Sequence, residues 1–114
     1  MSNPTDRRQF PRIPLKDVFV DTHNQFDRSH EMVQGTIDDI SVGGLQMSFN
    51  LYDEIENNVY LWFTLPNGAQ FAGIKAKVAW AGIDGTQQKA GIEFQNMGTQ
   101  YEKSLAQFIS DWEK

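Results

Sequence analysis

The sequence predicts a mainly β domain: six short antiparallel strands forming a small barrel or sandwich, with a C-terminal α-helix. Three observations carry this reading. Between Val18 and Phe94 the apolar residues recur in short alternating runs, the period of a strand with one buried face. The stretches SVGG, PNGAQ and DG, rich in residues that accept turn conformations, separate those runs. Only after Thr99 does the spacing become helical.

Each element follows from its own residues. Val18 and Val20 alternate against Phe19 after Pro14, giving the first strand. In MVQGTIDDI, Met32, Thr36 and Asp38 fall on one parity and Val33, Gly35 and Ile37 on the other, an imperfect second strand. LQMSF is the cleanest, with Leu45, Met47 and Phe49 alternating against Gln46 and Ser48. VYLWFTL, from Val59 to Leu65, is β-branched and aromatic, and the Asn67–Gly68 pair after it favours a tight hairpin. Its partner is FAGIKAKVAW, with Ile74, Ala76, Val78 and Trp80 assigned to one face. Asp84 and Gly85 mark the next turn, and AGIEF is the last strand, with Ile92 and Phe94 on one face. The helix spans about residues 99 to 112. Tyr101, Leu105, Phe108, Ile109 and Trp112 form its apolar stripe, and Thr99 with Glu102 matches a capping box.

Composition narrows the function. A chain of 114 residues has the size of one domain. No apolar run approaches the roughly 20 residues that span a bilayer, and the polar N-terminus lacks the apolar stretch of a signal peptide, so a cytoplasmic protein without membrane insertion is expected. Zero cysteines exclude disulfides, thiolate zinc sites and cysteine nucleophiles. His23 and His30 read as solvated loop residues, and no cofactor or metal is expected. No GxSxG elbow surrounds Ser41, no histidine lies near it, and Asp53, Glu54 and Glu56 read as solvated loop charge, so no enzymatic chemistry is predicted.

Charge is distributed unevenly. Residues 6 to 12, DRRQFPR, hold three arginines in a chain whose net charge is −5. Arg7, Arg8, Arg12 and Lys16 face Asp6 alone over the first sixteen residues. A protein that coats long nucleic acid spreads cations along a face, because each phosphate contact recruits its own. A single cluster on an acidic chain suits a small anion instead. By itself it also fits a solvated basic tail.

A second stretch, DDISVGG at residues 38 to 44, lies between the second and third strands. In an extended chain Asp39 and Ser41 project to one side. Gly43 and Gly44 admit backbone conformations closed to other residues and let main chain approach a ligand. By itself it also fits a plain polar turn in which Ser41 bonds its own backbone.

Taken together, Arg8 and Arg12 form R-x-x-x-R, and Asp39, Ser41 and Gly44 form D-x-S-x-x-G. Their order and separation, with the VAW and GIEF strands and a closing helix, resemble the PilZ domain over nearly the whole chain. The resemblance implies a six-stranded antiparallel PilZ-type β-barrel, here over residues 16–114. The arginine-motif segment before it, residues 1–15, holds three of the chain's four prolines and little periodicity, so it is expected to be flexible. The resemblance also implies a receptor for cyclic di-GMP whose arginine segment wraps over the ligand.

That ligand gives each residue a task. Guanidinium forks fit phosphate oxygens, or guanine O6 and N7, so Arg8 and Arg12 suit it better than lysines would. An ionised Asp39 can accept from the guanine N1–H and amino group. Ser41 can donate to a phosphate or base, and Gly43 and Gly44 permit close approach. Arg7 adds a phosphate or stacking contact. Trp80 either offers a ring face to a base or packs in the core. A mobile arginine segment that orders on binding would create a new surface, so the output is expected through an unidentified protein target. A homodimer is compatible with the sequence. The alternative is a PilZ-like adaptor that binds no nucleotide and acts through protein contacts alone.

Overall fold

The structure, a computed structural model, describes residues 11–26 and 31–112. In chain order it contains β1 (Ile13–Pro14), β2 (Phe19–Asn24), β3 (Val33–Ser41), β4 (Gly44–Asn50), β5 (Asn58–Thr64), β6 (Gln70–Asp84), β7 (Gln87–Phe94) and α1 (Thr99–Trp112). Every pairing is antiparallel. Six strands close into a ring in the order β3, β2, β5, β6, β7, β4 and back to β3. Closure leaves no free sheet edge in the ring.

The two-residue β1 is an addition to the six expected strands. It pairs with the same side of β3 as β2 does, Ile13 opposite Ile40 and Pro14 opposite Asp39. Leu15 to Val18 interrupt that edge, with Asp17 in the left-handed region at φ 59°. Ile13 is only 3% exposed. Among the described residues, strand pairing therefore begins at Ile13, where an apolar anchor and two pairings hold the chain to β3.

Inward-facing side chains fill the barrel, as small barrels require. Val20, Ile37, Ile40, Leu45, Met47, Val59, Leu61 and Ile74 are buried together. Each such side chain contributes about 1.5–3 kcal/mol by leaving water. Phe71 stacks on Phe63 with ring centroids 4.7 Å apart and meets Tyr101 of α1 at 5.3 Å, so aromatic contact joins the barrel interior to the helix. The helix buries Leu105, Phe108 and Ile109. Trp112, assigned to the same stripe, is half-exposed, its ring centroid 5.9 Å from that of Phe108. Gly98 occupies the N-cap position assigned to Thr99: its carbonyl accepts from the Glu102 N–H at 3.0 Å.

The turns match their chemistry. Gly68 and Gly85 adopt φ of 91° and 64° in the two predicted turns, and Asn67 Oδ1 accepts from the Ala69 N–H at 3.0 Å.

Three β-bulges depart from simple alternation, and two decide the outer surface. On β3, Ile37 faces Met47 and Asp39 faces Gln46, so Asp38 is an extra residue. On β6, Val78 faces Ile92 and Trp80 faces Gly91, so Ala79 is extra. A third, at Ala72–Gly73, lies opposite the step from Leu61 to Phe63. Each bulge shifts the parity of the strand residues beyond it.

Candidate functional site

The bulge at Asp38 explains the imperfect alternation of the second predicted strand. Without it Ile37 and Asp39 would share the inner face. With it, Ile40 points into the core, and Asp39 and Ser41 lie together on the outer face. The bulge at Ala79 acts likewise on β6. Trp80, assigned to the face of Ile74, Ala76 and Val78, instead lies outside and is 46% exposed. Trp80 is not part of the core.

These reversals place Asp39 and Trp80 at one level. Pro14 pairs with Asp39, Asp39 with Gln46, Gln46 with Gly91 and Gly91 with Trp80. The result is one row across the outside of β1, β3, β4, β7 and β6. From Asp39 to Trp80 it crosses three strand spacings, about 14 Å at the usual inter-strand distance.

Arg12 joins at the polar end. Continuing the β1 register sets it beside Ser41, and its side chain reaches diagonally back along β3. Its Nη1 donates to Asp39 Oδ1 at 3.1 Å and to Gln46 Oε1 at 3.5 Å. The Arg12 and Asp39 side chains are 35% and 23% exposed, so the pair lies at the surface.

The β3–β4 turn is held internally. The Gly43 N–H donates to Ser41 Oγ at 3.3 Å, and the Ser41 hydroxyl lies 3.5 Å from the Gly44 carbonyl as its donor. The Gly43 carbonyl accepts from the Phe94 N–H at 3.0 Å. A Cβ at Gly44 would lie 2.1 Å from the Ile92 carbonyl oxygen, so close approach of β7 accounts for this glycine.

The structure thus brings Arg12, Asp39, Ser41, Gly43, Gly44 and Trp80 to one outer surface. Arg7 and Arg8 lie outside the described residues, as does His30. His23 lies on β2 opposite Tyr60 and is partly buried, not in a solvated loop. Among the described residues no group of His, Cys, Asp or Glu could hold a metal ion, and no helix is long and apolar enough to cross a membrane.

Two side chains beside the motif escaped the sequence reading. Gln46 lies between Asp39 and Gly91, and only strand pairing shows that its outward position faces an aspartate. Lys89, two residues before Gly91, stands 3.6 Å from Asp38 Oδ2, which also accepts from the Ser48 hydroxyl at 2.7 Å. These contacts tie the extra residue of the β3 bulge to side chains of β4 and β7.

The family model for the PilZ domain matches residues 6–111. Comparison with curated proteins gives no match. Among solved structures, the Bacillus subtilis inhibitor of motility MotI/DgrA superposes with a TM-score of 0.79 at 18% identity, over 94% of this chain and 51% of that one. YcgR from Escherichia coli in complex with c-di-GMP gives 0.74 at 17% identity, over 94% and 46%. The chain therefore spans about half the length of these two proteins. The PilZ domain of YcgR with c-di-GMP gives 0.71 at 18% identity, over 94% of this chain and 92% of that domain.

Proposed function

Because the chain belongs to the PilZ domain family, we propose that it is a cytoplasmic receptor for cyclic di-GMP that signals through contact with another protein. The observation that carries this reading is the meeting of Arg12 with Asp39 at 3.1 Å on an outer row that ends in an exposed tryptophan. The ligand offers two phosphates and two guanines. The row offers a guanidinium, a carboxylate, a carboxamide and an aromatic ring in sequence. Structures of YcgR and of its PilZ domain with c-di-GMP support the assignment.

The ion pair acts as a mutual placeholder. While the site is free, Arg12 holds the Asp39 carboxylate in place and Asp39 holds the guanidinium over the barrel. On binding, the planar fork of Arg12 engages a phosphate or the O6 and N7 acceptors of guanine. Asp39 is released to accept from the guanine N1–H and amino group, an arrangement that adenine, with a different donor pattern, does not satisfy. A partly exposed pair contributes little by itself, so exchanging it for the ligand costs about 1 kcal/mol at most.

Arg7 and Arg8 supply further guanidinium groups. The segment before Arg12 becomes ordered over the ligand, pivoting on the buried Ile13, and the newly fixed surface recruits the protein target.

Calorimetric titration with cyclic di-GMP tests the receptor role. Saturable binding is expected, and no heat at tens of micromolar ligand would leave the adaptor role in its place. Amide NMR tests the ordering. Equal order for residues 5 to 14 with and without nucleotide would remove that step while leaving the receptor role intact.

A further inference from the structure

Gly91 differs from the crowded glycines Gly35 and Gly44 in that all three of its nearest contacts belong to a single aromatic side chain. It lies inside a strand with Ala90 and Ile92 buried on either side, and it is not among the glycines with positive φ. A glycine in such a place weakens a strand and marks close approach by something else. Here the neighbour is the Trp80 indole. A Cβ at Gly91 would lie 2.1 Å from Trp80 Nε1, 2.6 Å from Cε2 and 2.7 Å from Cδ1. The five-membered ring of the indole occupies the space where a side chain would stand. At Gly82, elsewhere on the same hairpin, nothing lies within 4 Å of that position.

We propose that Gly91 is a positioning residue for ligand recognition: by lacking a side chain it seats the Trp80 ring on the β7 backbone, with its exposed surface beside Gln46 available to stack on a guanine. The inference rests on the cyclic di-GMP reading and deepens it. The bulge at Ala79 turns Trp80 outward, and Gly91 then sets the height of the ring above the sheet. A side chain at residue 91 would lift the indole and tilt the stacking surface. An aromatic platform works by face contact over its whole area, so a small displacement removes much of it.

Titration of four proteins with cyclic di-GMP tests this: the native chain, Gly91→Ala, Trp80→Ala and the double variant. Gly91→Ala is expected to weaken binding roughly tenfold, the equivalent of one base–aromatic stack, and to shift the Trp80 indole N–H resonance even without ligand. In the Trp80→Ala background the added methyl meets no ring, so Gly91→Ala is expected to leave affinity unchanged. Thermal melting should show the same coupling. Gly91→Ala lowers the midpoint when Trp80 is present and leaves it equal or raised when Trp80 is absent, because alanine restricts the unfolded chain. Equal losses of affinity in both backgrounds, or native affinity in Gly91→Ala, would overturn the proposal while the receptor reading stands. Absence of binding by the native chain would overturn both.

Discussion

At one end of the outer row Arg12 and Asp39 meet through opposite charge; at the other, Trp80 and Gly91 meet because one of them has no side chain. Both ends depend on an extra residue in a strand, Asp38 on β3 and Ala79 on β6. The polar end is specified by residue type, since a carboxylate and a guanidinium announce their chemistry wherever they stand. The aromatic end is specified by placement, since a tryptophan in an alternating strand has the same composition whether it faces core or solvent. A binding surface can therefore combine a half written in residue identities with a half written in strand register.

Removing the charge at the polar end is expected to have the largest effect. Arg12→Ala should weaken cyclic di-GMP binding by about 1.5–3 kcal/mol, the range for hydrogen bonds to charged groups, measured by calorimetry. Arg12→Lys should restore only part, because an ammonium lacks the planar fork. Full affinity in Arg12→Ala would break the comparison by removing the polar end from the site. At the aromatic end, Trp80→Ala should lose about 1–2 kcal/mol, within the range for stacking of one base on an aromatic ring. Trp80→Phe should keep most of the binding. If Trp80→Ala binds like the native protein, the row ends at Gln46 and the platform is no part of recognition.

That contrast also accounts for what could be read from the residues alone. Alternation in LQMSF and VYLWFTL located β4 and β5 closely, because unbroken strands keep their parity. The hairpin at Asn67–Gly68 and the helix from Thr99 were legible for the same reason: local chemistry decides them. Arg12, Asp39 and Ser41 were legible as a motif. Alternation alone puts Trp80 on the wrong face, because a bulge is set by how the strand pairs with its neighbour and leaves no mark in the spacing of Val78 and Trp80. Gln46 was missed because its meaning comes from Asp39 beside it in the sheet, seven residues away in the chain. The docking of Ile13 into the core was missed too, since two residues of strand are too short to show a period.

Gln46 lies between the two ends, and its expected effect is smaller than that of either. Its Oε1 accepts from Arg12 at 3.5 Å, a long and neutral acceptor contact. Gln46→Ala should weaken nucleotide binding by about 0.5–1.5 kcal/mol, the range of an ordinary hydrogen bond. A loss as large as that of Arg12→Ala would make Gln46 a principal ligand contact and shift the polar end toward the middle of the row.

The smallest expected effect concerns the ligand-free protein. If Arg12 serves the ligand and not the fold, removing it should barely change stability while nucleotide is absent. The Arg12–Asp39 pair is a third exposed on the arginine side, and such pairs contribute less than about 1 kcal/mol. The anchoring of β1 rests instead on Ile13, which is buried against the core. Thermal melting of Arg12→Ala without nucleotide should therefore fall within a few degrees of the native midpoint. Ile13→Ala should fall further, because truncating a buried isoleucine costs about 2–5 kcal/mol. Adding cyclic di-GMP should then raise the native midpoint clearly and that of Arg12→Ala much less, since stabilisation follows ligand affinity. A large drop for Arg12→Ala without ligand would show that the ion pair is structural and that charge at this end holds β1 to the barrel before it holds anything else.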